Sequence, residues 1–125
     1  MILGARVILG GTGKGRAMDI RMLYITAGSR DEAKKIGRAL VEARLAACAN
    51  VVDGMESIYW WEGKLTEDRE AVLIVKTQAA LVPAVTARVK ALHSYTVPCV
   101  VALPVLDGNP DFLQWVAAET AAGAA

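Results

Sequence analysis

The chain has 125 residues, with 14 Lys and Arg against 13 Asp and Glu and 54% hydrophobic residues. That length suits one domain with a real core, while charges of both signs interspersed without runs exclude a nucleic-acid interface. No apolar stretch approaches the roughly 18 residues of a membrane span, and the apolar share exceeds the usual range of about 45–50%, so a small sphere is left with apolar surface for subunit contacts.

Residues 1–20 form a Gly-rich leader without aromatics and are expected to be disordered. Gly10-Gly11-Thr12-Gly13-Lys14-Gly15 is not a phosphate loop, because Ile8 and Gly15 stand where that motif requires Gly and Ser or Thr. The domain is expected over 21–120, with 121–125 a frayed tail. Met22 to Thr26 reads as a buried strand. Ser29-Arg30-Asp31-Glu32 is a capping box, the serine accepting from the first helical turn and Glu32 reaching back to the serine amide. The helix it starts places Ala33, Ile36, Leu40 and Ala43 on one face, and Lys34, Lys35, Arg38 and Glu42 on the other.

Ala46 to Val52 resumes as strand, and Asp53-Gly54 supplies a turn or bulge. Two of the three tryptophans and one tyrosine follow at Tyr59-Trp60-Trp61. As a strand, this stretch places Ser57, Tyr59 and Trp61 on one face and Ile58, Trp60 and Glu62 on the other, so both faces need cover and the strand is expected to be central. Leu65 to Glu70 reads as a polar break before a second strand, Ala71 to Thr77, the two strands making a long hairpin. Val82, Val85, Val89 and Leu92 have helical spacing, with Pro83 in the first turn. Cys99 to Leu106 is a strand apolar on both faces, its Pro104 at an edge or bulge. A short helix over Asp111 to Thr120 packs through Phe112 and Trp115.

The order β-α-β-β-α-β plus a terminal helix is an α+β, ferredoxin-like split β-α-β arrangement with a long central hairpin. Both helices then cover one sheet face. The other face is apolar at Val72 to Val75 and Val100 to Leu103, which calls for a partner sheet or subunit.

Several motifs stand on these elements: Leu45-Ala46-Ala47-Cys48-Ala49-Asn50-Val51, Ser57 to Lys64, Lys76-Thr77, Leu92-His93-Ser94-Tyr95-Thr96-Val97-Pro98 and Ala102-Leu103-Pro104-Val105. On them, over Met22 to Trp115, the chain resembles the CutA family of divalent-cation tolerance proteins. The resemblance implies a homotrimer clamped by its hairpins, similar in architecture to the PII signalling proteins, and a part in the response to copper or another divalent cation. It also implies copper binding through the histidine before a Tyr-x-x-Pro turn, here His93. The chain departs from the family pattern at Ile25, where some members carry cysteine, at Ser94 in place of proline, and at Cys99 in place of glutamate.

His93 is the only histidine. It is either a metal ligand, since imidazole suits divalent copper, zinc or nickel, or a helix-end residue bonded to terminal carbonyls. Cys99, six positions on, is either a softer ligand or a small buried strand residue. Tyr59, Trp61, Lys64, Lys76 and Tyr95 form either an intersubunit cleft for a small anionic ligand or plain interface core. A PII-like module binding a metabolite or protein partner is therefore the alternative to metal handling, and a purely structural partner-binding trimer a third reading. No organic cofactor is expected. Cys48 and Cys99 form no Cys-x-x-Cys pair, which fits free thiols in a reducing, cytoplasmic setting. Nothing assembles a nucleophile with a base, so the expectation is a protein without catalysis.

Overall fold

The computed structural model describes residues 18–121. The expected leader up to position 17 and the tail from position 122 lie outside the described residues. Ile20, assigned to the leader from sequence, instead opens the first strand and is buried.

The elements are β1 (Ile20–Ala27), α1 (Arg30–Glu42), β2 (Cys48–Trp61), β3 (Lys64–Gln78), α2 (Val82–Leu92) after a 3-10 turn over Ala79–Leu81, β4 (Val100–Pro104) and α3 (Pro110–Ala121). They form one antiparallel sheet in the order β2-β3-β1-β4. This is the arrangement expected from the element order.

Leu23, Ile25 and Ala27 of β1 lie opposite Val75, Leu73 and Ala71 of β3. These residues share a buried cluster with Ala33, Ile36 and Leu40 of α1 and Val85 and Val89 of α2. Both helices therefore bury their apolar stripes against one sheet face. Gly37 brings α1 close to the strands: a Cβ built there would meet Leu73 Cδ1 at 2.9 Å and Ala49 Cβ at 3.1 Å. Helix α3 closes the end of the sheet. Its buried residues are Thr120 and the apolar Val116, the latter against Ile20 and Ala47, with Phe112 and Trp115 half-buried beside it.

Residues of the other parity point to the open face. Tyr24 lies opposite both Ile74 and Val101, and Met22 opposite Lys76 and Leu103. Val52, Val101 and Leu103 are exposed there.

The aromatic strand departs from expectation in two ways. It is an edge strand, not a central one. The supposed polar break is part of β3, which starts at Lys64 and pairs with the aromatic stretch residue by residue, Trp61↔Lys64, Tyr59↔Thr66 and Ser57↔Asp68. The chain reverses in two residues, Glu62 at φ 48° and Gly63 at φ 79°, the left-handed pair that suits a tight hairpin. Leu65 to Arg69 is polar because this outer half of the hairpin runs past the helices and has no core to face, whereas Glu70 at its inner end is buried. Asp53-Gly54 is the expected bulge, with a register shift between Val52 and Met55 and Gly54 at φ 81°. β4 is shorter than expected and ends at Pro104 on the far edge, where a residue without an N–H interrupts no ladder.

Candidate functional site

Beyond the bulge, Met55, Ser57, Tyr59 and Trp61 share the open face with Glu70 and Asp68. The segment from Ser94 to Cys99, between α2 and β4, runs alongside, and between them lies a groove of about 700 Å³.

One wall of the groove is set by a hydrogen-bond network that links α1 to the loop after α2. Ser29 caps α1 by accepting from the Glu32 N–H at 3.1 Å. Glu32 does not return the bond to the Ser29 amide. Its Oε1 accepts from Gly28 N–H at 3.1 Å and from the Ser94 hydroxyl at 3.0 Å, and its Oε2 accepts from Ser94 N–H at 2.7 Å. Burial pushes the Glu32 carboxyl up, but the Ser94 bonds, the Gly28 N–H and the nearby His93 outweigh it and leave the group below its ordinary value.

His93 follows the last residue of α2, its N–H donating to Val89 O at 2.9 Å. Its side chain is wholly buried. Nε2 lies 2.7 Å from Thr26 O, and Nδ1 accepts the Tyr95 N–H at 3.0 Å. A carbonyl only accepts and a backbone N–H only donates, so the proton sits on Nε2. Both ring nitrogens are thereby committed, and His93 offers no lone pair to a metal in this conformation. It fixes the Ser94–Pro98 loop to β1 instead, bonding a neighbouring strand rather than the carbonyls of its own helix.

Tyr95 donates its hydroxyl to Glu70 Oε2 at 2.7 Å. Burial, this bond and the Glu70 charge push its phenol well above the ordinary range. Tyr59 donates to Asp68 Oδ2 at 2.5 Å, and that bond, with lesser contributions, raises its phenol too.

The candidate residues thus divide. Tyr59, Trp61, Tyr95 and Cys99 line the groove together. Lys64 is the first residue of β3 at the hairpin tip, and Lys76 donates to Asn50 Oδ1 at 2.7 Å; neither is a lining residue. Without them the groove carries no positive side chain, and an anionic ligand finds no counter-charge within one chain. Cys99 is exposed, not the buried strand residue considered as its alternative, whereas Cys48 is half-buried and burial pushes its thiol up. Among the described residues no group of three or more His, Cys, Asp and Glu side chains converges as a metal site. One chain's described residues therefore do not fit a resident metal. Sequence reasoning missed Glu32, Ser94 and Glu70 as parts of the site, since only folding brings α1, β3 and the loop after α2 together.

Among the described residues no helix is long and apolar enough to cross a membrane.

The family described as "CutA1 divalent ion tolerance protein" matches residues 21–119. The divalent-cation tolerance protein CutA of Thermus thermophilus is 50% identical over 99 residues, 79% of this chain and 96% of that protein. Human protein CutA is 50% identical over 93 residues, 74% of this chain but 52% of its own length. The chain thus spans nearly all of the bacterial relative and about half of the human one. Among solved structures, the Thermus thermophilus protein superposes with a TM-score of 0.79 at 48% identity, covering 81% of this chain and 98% of that one. CutA1 from Oryza sativa gives 0.80 at 42% identity, covering 82% and 94%. The chain belongs to the CutA1 divalent ion tolerance family.

Proposed function

We propose that the protein serves divalent-cation tolerance as a non-catalytic homotrimer, and that copper or another divalent cation is taken up at Cys99 with further ligands from other copies of the chain. The observation that carries this reading is the outer hairpin. Trp60 is 71% exposed and Ile58 67% on one face, with Trp61 47% exposed on the other. Large apolar side chains on both faces of one two-stranded ribbon are an interface surface, and the unpaired edges of β2 and β4 offer further places to join.

Cys99 is the exposed one of two cysteines, and a thiolate is a soft donor suited to copper and zinc. Cys48 and Cys99 are both free, which supports a reducing, cytoplasmic setting. The commitment of both His93 nitrogens supports a protein without catalysis, because the imidazole is unavailable as a base for Ser94 or Cys99.

Native mass spectra under reducing conditions, with and without copper, test the proposal. Three chains with copper retained by the native protein and lost from Cys99→Ser are expected. A copper load unchanged in Cys99→Ser overturns the site.

A further inference from the structure

We infer that the open-face groove binds a small organic cation, an ammonium or guanidinium group, with Glu70 as its counter-charge. Four aromatic side chains, Tyr24, Tyr59, Trp61 and Tyr95, line the groove with Glu56 and Glu70, and none of the lining residues is Lys, Arg or His. Ring faces carry negative potential and attract weakly hydrated organic cations. The groove volume of about 700 Å³ lies within the range of small-molecule sites.

Three of these rings are held in place through their hydroxyls. Tyr24 donates to Met55 Sδ at 3.3 Å, Tyr59 to Asp68 Oδ2 at 2.5 Å and Tyr95 to Glu70 Oε2 at 2.7 Å. A wall fixed before binding has little ordering entropy left to lose.

Glu70 is the independent observation. It is only 8% exposed, it joins no ion pair among the described residues, and its hydrogen-bond partner is the neutral Tyr95 hydroxyl. Buried carboxylates ordinarily face a cation. Arg30 and Arg69 border a separate recess that Glu70 also lines, without an ion pair to it, and a groove ligand of positive charge supplies the cation missing from the groove lining. A hydrated divalent ion fits less well, since hard cations seek several oxygen ligands and gain little from aromatic faces. The inference concerns the same groove as the proposed cation uptake but does not depend on Cys99.

Isothermal titration of the full chain with tetramethylammonium, spermidine and arginine tests it, with sodium and magnesium chloride at matched ionic strength as controls. Saturable binding of at least one organic cation is expected. Glu70→Gln should weaken it by at least about tenfold, as loss of a buried counter-charge does, and Trp61→Leu should weaken it severalfold. Trp61 is 47% exposed, so its replacement leaves the core intact and carries the test if Glu70→Gln does not fold. Copper uptake is read separately on the same proteins by mass spectrometry, with the titrations run free of copper, which separates failure of one site from failure of the other. Absence of saturable binding by all three probes, equal binding of magnesium, or affinity unchanged by Glu70→Gln or by Trp61→Leu would overturn the inference.

Discussion

Glu32 and Ser94, sixty-two residues apart, are joined twice: the carboxylate accepts the Ser94 N–H at 2.7 Å and its hydroxyl at 3.0 Å. The first turn of α1 thus holds the start of the loop that walls the groove.

Glu32→Gln replaces an acceptor-only carboxylate by an amide whose NH₂ faces donors, and should cost about 1–3 kcal/mol. Because the Glu32 carboxyl lies below its ordinary value of 4.5, its stabilisation is complete above that value and is lost as pH falls through the lower, folded-state value. Thermal unfolding from pH 7 into acid should show a gap between native protein and variant that narrows below about pH 4.5. A gap that widens in acid contradicts the assignment.

His93→Ala leaves Thr26 O and Tyr95 N–H without their partners inside the protein. A loss of roughly 2–4 kcal/mol is expected, the range for breaking a buried hydrogen-bond network. Hydrogen exchange at Ser94 to Val97 should accelerate more than in β1 or β3. Unchanged stability would mean that the imidazole serves something other than the fold.

At Gly37, alanine would gain up to about 1 kcal/mol in helix propensity, but its methyl meets Leu73 and Ala49 at 2.9 and 3.1 Å. Leu73 is fully buried and Ala49 Cβ is fixed to a strand, so neither yields freely. Overpacking costs about 1–3 kcal/mol. Gly37→Ala should therefore lower the unfolding midpoint in urea, whereas a rise would show that α1 can move away from the sheet.

Glu62 holds φ at 48° in the hairpin turn, where asparagine is better tolerated than a long side chain. Glu62→Asn should stabilise by about 0.5–1 kcal/mol, given the cost of the left-handed region for ordinary residues. Chemical denaturation at fixed protein concentration checks it; a lower midpoint contradicts the turn geometry.

Local signals made much of the fold legible. Ser29 capped its helix as read, the apolar spacings of α1 and α2 matched their buried faces, and Asp53-Gly54 formed the bulge. The outer hairpin was misread because hydrophobic pattern reports burial, and Leu65 to Arg69 has no core above it. Its ladder is specified by backbone pairing and by the turn at Glu62-Gly63, which the sequence marks only with one glycine. The groove was half legible. Aromatic residues announced Tyr59, Trp61 and Tyr95, but nothing local distinguishes Glu70 from its polar neighbours, and only the fold shows it buried against Tyr95. His93 stood out as the sole histidine; its environment, with Thr26 on one side and Tyr95 on the other, depends on a contact across sixty-seven residues.

Light scattering on size-separated protein, for the native chain and for Trp60→Glu, is the most direct test of the proposed assembly through the hairpin. Trp60 is exposed in the single chain, so a charge there does not disturb the monomer core. Three chains for the native protein and a smaller species for Trp60→Glu are predicted. A native monomer, or a variant that assembles as fully as the native chain, would contradict the account.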